Sequence, residues 1–253
     1  KIMFVGDSVI LNQFDSFLCL IHASLPSAAY TMQQTLTGFQ AVFNDYQVEI
    51  NVFTSHYLVD IDQSSQGRVL KLGSIKSGEQ WKQMDVLIFN TWLWWYRSGP
   101  ERPWDYVEDN GKIMKDMNRM DAYAKALATW ANWVDSDVDF GKTKVAFQGV
   151  TPTHYNSTEW NVAGAMNCGK ETEPLLDSKY PAGTPYPQKL LENVLGGVKK
   201  PVYLLDITNL SQLRKDGHPS AYNSFKGMDC THWCLAGVPD TWNLILYDYI
   251  MNN

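Results

Sequence analysis

No run of about 18 consecutive apolar residues occurs in this 253-residue chain, so nothing in it reads as a membrane-spanning helix. Positive charge is in deficit: 21 Lys and Arg against 27 Asp and Glu give a net charge of −6. That balance excludes a global electrostatic attraction for nucleic acid or anionic lipid and leaves room only for local basic patches. No glycine-rich loop of the Walker or dinucleotide type is present, so no dedicated phosphate cradle can be read. Internal repeats, low-complexity tracts and an obvious interdomain linker are also lacking. The chain therefore reads as one domain, 1–253, large enough to bury a core without many cross-links. It has no secretory signal at its start and opens at Lys1 inside the apolar run Ile2-Met3-Phe4-Val5. The expectation is a fragment whose upstream part, with any targeting signal or anchor, lies outside.

What is present is an alternation. Short apolar or β-branched runs at Ile2–Val5, Val48–Thr54, Val86–Asn90, Lys144–Gln148 and Val202–Asp206 predict strands. Longer patterns predict helices over Asn12–Ala23, Met117–Val134, Gln188–Leu195 and Pro239–Met251. Leu11, Phe14, Leu18 and Ile21 recur at helical spacing, as do Met120, Tyr123, Ala124, Leu127, Trp130 and Val134. Strands separated by helices indicate βαβ crossovers, so the expected fold class is α/β, a three-layer αβα sandwich around a mostly parallel sheet. Val86-Leu87-Ile88-Phe89 is apolar on both faces, as a central parallel strand requires. Thr54–Gly78 and Gly149–Tyr186 show no clear periodicity. Both follow strands, and both are expected as loops at the carboxyl ends of the sheet, where such folds bind ligands.

Aromatic residues are abundant, with ten Trp, thirteen Tyr and ten Phe. They form either a Trp-rich core or, in part, a carbohydrate groove, since sugar C–H faces stack on rings. The four cysteines are Cys19, Cys168, Cys230 and Cys234, and Asn-x-Ser/Thr sequons stand at Asn156 and Asn209. Together these lean towards a secretory compartment. Four cysteines allow three full pairings. Cys230 and Cys234 flank three residues, and a bond between them is strained if the stretch is extended. Each is expected to pair elsewhere, with upstream cysteines among the options.

Two motifs carry chemistry. Phe4-Val5-Gly6-Asp7-Ser8 ends a strand and opens a helix, which sets a serine hydroxyl at a helix amino terminus. First-turn N–H groups there form a natural oxyanion site. The plain alternative is an ordinary helix cap by Asp7 or Ser8. The second motif is Asp229-Cys230-Thr231-His232-Trp233-Cys234. An Asp three residues before a His can orient the imidazole, which then acts as base towards a serine from elsewhere in the fold. Its alternatives are a zinc site, whose ligand spacing matches no common pattern, and a merely structural histidine.

The order of the two, serine after strand one and Asp-x-x-His before the last helix, is that of serine esterases of the SGNH/GDSL type. The sequence more closely resembles the plant trichome birefringence-like family of polysaccharide O-acetyltransferases. The segments that carry the resemblance are residues 4–8, Asn12-Gln13 with Ser16, Leu-Ile-Phe-Asn-Thr-Trp at 87–92 with Trp94-Trp95, and Thr-Pro-Thr-His at 151–154. Further matches are Lys-Glu-Thr-Glu-Pro-Leu at 170–175, Leu-Arg-Lys-Asp-Gly-His-Pro-Ser at 213–220 and residues 229–243. Gly-Arg-Val-Leu-Lys-Leu at 67–72, Gly-Pro-x-x-Pro-Trp at 99–104 and Lys-Asp-Met at 115–117 look most like the pectin-associated powdery-mildew-resistance subgroup. Many members carry Arg where this chain has Leu11, and the family's cysteine-rich amino-terminal segment is missing.

The resemblance implies a lumenal Golgi catalytic domain whose membrane anchor lies outside this chain. It implies a triad of Ser8, His232 and Asp229 that transfers acetyl to hydroxyls of a cell-wall polysaccharide through acetyl-serine. No bound cofactor and no metal are expected. The acetyl donor, acetyl-CoA or another carrier, is a co-substrate, and the polysaccharide acceptor is the other partner. Cys168–Cys230 is the expected internal bridge, with Cys19 and Cys234 paired upstream. The expected oxyanion donors are the Ser8 N–H, Gly6 and the Asn90 side chain. Asp7 is expected to be structural, and His154 and His218 are rival bases. Trp92, Trp94, Trp95 and Tyr96 are expected near the acceptor, with some of them core. Arg97, Arg102, Arg214 and Lys215 are candidates for uronate recognition, and His218 for lining the groove. Two rival classes remain: a polysaccharide acetylesterase with the same triad, and a non-catalytic polysaccharide-binding protein.

Overall fold

The computed structural model describes residues 1–97, 101–161, 166–224 and 226–252. Its strands are β1 (Ile2–Gly6), β2 (Thr31–Gln34), β3 (Gly38–Phe43), β4 (Val48–Thr54), β5 (Asp60–Ser64), β6 (Gly67–Lys71), β7 (Val86–Phe89), β8 (Tyr106–Asp109), β9 (Lys112–Met114), β10 (Lys144–Gln148) and β11 (Tyr203–Leu205). Its helices are α1 (Ser8–Ser24), α2 (Gly78–Trp81), α3 (Arg119–Asp137), α4 (Tyr186–Leu195), α5 (Thr208–Gln212) and α6 (Val238–Asn252).

The main sheet has the order β11-β10-β7-β1-β4-β3-β2. From β11 to β4 the strands run parallel, and β3 and β2 continue antiparallel at one edge. Residues of one strand alternate between two cores, as the pleat requires. Phe4, Ile88 and Ala146 face α1 and α6, where Phe14, Trp242 and Leu246 meet them. Met3, Val5, Phe89 and Phe147 face α3 and α4, among Tyr123, Leu127, Trp130 and Leu191. This is the expected αβα sandwich, with a mixed rather than purely parallel sheet.

The structure corrects the reading of residues 54–78 as a loop. They contain the hairpin β5–β6, which joins β8 and β9 in a second sheet of order β5-β6-β8-β9. Leu70 and Val107 of this sheet share the core of Phe89 and Trp130. The alternation in Asp-Ile-Asp-Gln-Ser is polar and half-exposed, so it carries little strand signal. A clear signal was present at Asn110-Gly111, the two-residue turn between β8 and β9, where both residues take positive φ of 50° and 79°. Asn-Gly is the favoured pair for such a turn. The second loop expectation fits better: residues 149–185 contribute only short 3₁₀ turns among those described. Gly99 and Pro100 of the Gly-Pro-x-x-Pro-Trp motif lie outside the described residues. No helix among the described residues is long and apolar enough to cross a membrane.

Nine of the ten tryptophans are buried, which decides most of the core-or-groove question for the core. Trp92 and Trp95, expected at the acceptor, are 6% and 0% exposed and pack on Tyr123. Trp94 alone stays partly open. Trp130 sits edge-on to Phe89 and Phe147, with ring centres at 5.4 and 4.8 Å. Trp130→Ala should therefore lower unfolding free energy by about 3–5 kcal/mol in urea titration. Trp94→Ala should lower it by no more than about 1–2 kcal/mol.

Candidate active site

The site is built where β1, β7 and β10 end. Asp7 caps α1: its Oδ1 accepts the Val9 N–H at 2.9 Å, which places Ser8 as the first residue of the helix. Its backbone N–H donates to Asn90 Oδ1 at 3.0 Å. Because a backbone N–H needs an acceptor, the Asn90 amide orientation is fixed, and its Nδ2 faces Asp7 Oδ1 (3.0 Å) and Gln148 Oε1 (3.1 Å). Gln148 Nε2 in turn donates to Gln13 Oε1 at 2.7 Å. Asp7, Gln13, Asn90 and Gln148 are all buried, and they tie three strand ends to α1. Both N–H groups of the Asn90 amide are committed within this network. The expectation of Asn90 as an oxyanion donor is corrected accordingly: it positions Asp7.

Gly6 makes this approach possible. A Cβ on it would lie 1.8 Å from Asn90 Oδ1 and 2.7 Å from Asn90 O. Its contribution in this structure is space.

Across from Ser8 lies the loop of residues 229–234. Asp229 Oδ1 accepts the N–H groups of Thr231 and His232, each at 3.0 Å. Its Oδ2 meets His232 Nδ1 at 2.9 Å, and His232 Nε2 reaches Ser8 Oγ at 2.7 Å. The Asp229 carboxylate can only accept, so Nδ1 carries the N–H and the neutral imidazole presents Nε2 to the hydroxyl as an acceptor. Burial pushes the Asp229 carboxyl up. The backbone N–H groups of His232 and Thr231 and the charge of His232 outweigh this and hold it below the ordinary carboxylate range.

Ties from several elements hold the loop. Asn12, one turn after Ser8 on the same face of α1, accepts the Trp233 N–H at 3.0 Å and donates to Trp233 O at 3.4 Å. The Cys168–Cys230 disulfide, with Cα atoms 5.7 Å apart, anchors the residue after Asp229. His218 Nδ1 donates to His232 O at 2.7 Å. Cys19 and Cys234 are free and exposed.

The triad opens into a cleft of about 540 Å³ lined by Leu93, Trp94, Tyr96, Arg97, Glu101, Thr153, Tyr155 and Thr231. Trp94 stacks on His56 at 3.9 Å, and the Arg97 guanidinium lies over the Trp94 ring at 4.6 Å. Arg97 pairs with Glu101 at 3.2 Å, and both side chains are exposed. Tyr155 uses its hydroxyl on the loop backbone, accepting the Cys230 N–H at 3.1 Å and donating to Met228 O at 3.0 Å.

Other candidates fall elsewhere. Arg214 pairs with Asp216 at 2.9 Å and does not line the cleft, and Arg102 pairs with Asp116 at 2.8 Å. Lys215 is buried against Glu171. His218 and His154 are buried behind the loop, so neither the groove role of His218 nor the rival-base role of either ring is available. Asn156 and Asn209 are both exposed. Sequence reading missed Thr153, Tyr155, Gln13 and Gln148. Gln13 and Thr153 stood in segments that carry the family resemblance, Gln148 at a predicted strand end, and Tyr155 had as its signal a place in the loop after that strand.

A Ser-His-Asp constellation at the carboxyl edge of an α/β sheet is the arrangement that serine acyl-transfer enzymes use. A family model described as "GDSL/SGNH-like Acyl-Esterase family found in Pmr5 and Cas1p" matches residues 1–249, and the chain belongs to this family. It is similar to protein trichome birefringence-like 38 of Arabidopsis thaliana, at 49% identity over 98% of this chain and 65% of the relative. Protein trichome birefringence-like 40 of the same plant is 48% identical over 98% of this chain and 68% of the relative. Protein trichome birefringence is 36% identical over 98% and 44%. The chain thus spans 65% of the length of the first of these relatives.

Gly6→Ala should disrupt the Asp7–Asn90 pair. The expected outcome is a loss of about 1–3 kcal/mol in thermal unfolding, together with reduced reaction of Ser8 towards an organophosphonate. Asp229 predicts an acid limit. Its folded-state pKa lies below the unfolded value, so its contribution to stability is full above the ordinary carboxylate range. It is lost as pH falls through the lowered pKa. Asp229→Asn should flatten stability across that acid range, as read by thermal melts.

Proposed function

We propose that the chain is one catalytic unit that transfers acetyl to hydroxyls of a plant cell-wall polysaccharide. The observation that carries this is the Ser8–His232–Asp229 chain of contacts, 2.7 and 2.9 Å, at the floor of an aromatic-walled cleft. His232 Nε2 takes the Ser8 proton while Ser8 Oγ attacks the acetyl carbonyl. The Ser8 N–H at the start of α1 stabilises the oxyanion. Asp229 holds the imidazole tautomer and the imidazolium that forms. Collapse expels the donor's leaving group, which takes the proton from His232, and leaves acetyl-Ser8. A sugar hydroxyl then gives its proton to His232 and attacks the ester carbonyl, and His232 passes that proton to Ser8 Oγ as the bond from Ser8 to the acetyl breaks.

Trp94, Tyr96 and Tyr155 offer faces for sugar rings, and Arg97 is the cation at the cleft. Its partner Glu101 is exposed, and such pairs contribute about 0–1 kcal/mol, so a uronate carboxylate can replace Glu101 at little cost. This favours pectin over xylan or another hemicellulose, in line with the likeness to the powdery-mildew-resistance subgroup. The reading includes acetyl-CoA or another acetyl carrier as donor. It also includes a Golgi-lumenal setting, an anchor outside this chain and glycosylation at Asn156 and Asn209. The esterase reading is favoured by the family's own description, with water replacing the sugar in the second step.

Incubation with an acetyl donor and de-esterified oligogalacturonides or xylo-oligosaccharides should yield acetylated oligosaccharide by mass spectrometry. Ser8→Ala should abolish the product. Asp229→Asn should lower turnover by roughly 10⁴ with the fold intact. Free acetate without acetylated sugar would favour the esterase.

A further inference from the structure

Two histidines that the proposed reaction does not use meet behind the catalytic loop. His154 Nδ1 and His218 Nε2 are 2.6 Å apart, and the rings are 0% and 6% exposed. Each outer nitrogen rests on a backbone carbonyl: His154 Nε2 on Gln212 O at 3.0 Å, and His218 Nδ1 on His232 O at 2.7 Å. A carbonyl oxygen has no proton to give, so each outer nitrogen must be the donor. A neutral imidazole has a single N–H. With both outer positions donating, the inner nitrogens are two bare lone pairs facing each other at hydrogen-bond distance. One additional proton between them removes the conflict. A neutral pair must instead turn one N–H inward and set a ring lone pair against a carbonyl oxygen.

The surroundings pull in both directions. The Trp233 ring lies 4.2 Å from His218, tilted by 31°, and an aromatic face favours a cation. Trp160 and Tyr180 meet His154 edge-on. Asp216 and Asp229 favour the proton, while Lys215 and His232 oppose it, with Lys215 itself held by Glu171. Burial opposes it most strongly and pushes His218 down to about 4 and His154 down to about 3. The four-nitrogen geometry counters that pressure, because losing the proton forfeits a buried hydrogen bond.

We propose that His154 and His218 bind one shared proton as a unit, and that His218 is a positioning residue that holds His232 by its backbone carbonyl. The proton comes from solvent and returns to it. Bound, it lets the pair donate to both carbonyls; released, one of the two contacts breaks. The shared proton stands on the geometry of the pair alone, whereas the consequence for Ser8 reactivity rests on the reading of His232 as the base.

The test uses the whole chain with its five histidines labelled in ¹⁵N. Nitrogen and proton spectra are followed from about pH 4 to about pH 9. The expected result is one low-field proton coupled to nitrogens of both rings, lost in a single transition that moves both rings together. Rings that stay neutral in separate tautomers throughout, or that titrate independently, would overturn the shared proton. The positioning role is read from the rate of phosphonate labelling at Ser8. His218→Leu should slow labelling by about tenfold, because the clamp is gone while the triad remains. His218→Asn, which keeps an N–H near the place of Nδ1 and cannot titrate, should restore it and remove the pH dependence that the pair confers. Equal labelling of wild type and His218→Leu would overturn the positioning role. If wild type is not labelled at all, the reading of the triad fails and the positioning role fails with it, while the spectra still decide the shared proton.

Discussion

Ser8 and His232 lie 224 positions apart in sequence and meet at 2.7 Å. That contact depends on one face of one helix. Ser8, Asn12 and Ser16 stand at successive turns of α1. Ser8 takes His232, Asn12 takes both backbone groups of Trp233, and Ser16 bonds Asp240 at 2.5 Å and Asn243 at 2.9 Å. A helix is a rigid ruler with a rise of about 1.5 Å per residue. Fixing Trp233 and α6 against its later turns fixes His232 against the first. The apolar contact of Phe14 with Trp242 and Leu246 supplies the adhesion between these elements. The polar stripe supplies the register, which a greasy interface alone leaves loose.

The serine side has its own constraint. A buried chain of amides, Asn90–Gln148–Gln13, runs beneath Asp7, and bonds among its members offset part of the cost of burying them. It converts the position of three strand ends into the position of one helix cap. Gly6 is the residue on which it turns, since any side chain there would occupy the place of the Asn90 amide. The loop side is held by different chemistry, a disulfide and a histidine, and the two halves of the site are joined along α1, at Ser8, Asn12 and Ser16.

Much of this was legible in the sequence, for identifiable reasons. The five parallel strands and the four long helices carry their own periodicity, because each buries a whole face. The meeting of Ser8, His232 and Asp229 was expected because Gly-Asp-Ser and Asp-x-x-His are local motifs in the order that the family resemblance supplies, and the structure brings the three within hydrogen-bond distance. The second sheet was missed, because its strands are short and half-exposed and their register comes from pairing between distant segments; its Asn110-Gly111 turn alone carried a clear local signal. Trp92, Trp94 and Trp95 were expected near the acceptor because all three follow the Asn90 strand end, with some of them expected in the core. In the 3₁₀ turn at 93–96, adjacent side chains diverge, and only the fold decides which of them turns inward. Asn90 was misread for a similar reason. Its position at a strand end was visible, but the partners that occupy its amide come from β10 and from the cap of α1.

The same triad serves a transferase and an esterase, so the distinction must lie in the walls of the cleft. Acylation is common to both reactions. Deacylation is a competition between water, present everywhere, and a sugar hydroxyl that must be held within reach of His232 Nε2. Correct orientation is worth effective molarities of about 10⁵–10⁸ M, far above the concentration of liquid water, so a bound sugar wins if its hydroxyl is aimed and loses if it is merely near. The groups able to aim it are Trp94, Tyr96, Arg97 and Tyr155, since the other tryptophans are committed to the core. Tyr155 is braced by the backbone at Met228 and Cys230, the same segment that carries Asp229. A wall residue is thus hydrogen-bonded to the segment that carries Asp229, so an acceptor ring against Tyr155 would be held in a fixed relation to His232. An esterase must seat its acetylated sugar only for the first step, whereas the proposed transferase must also hold an attacking sugar hydroxyl in that relation to the base during the second.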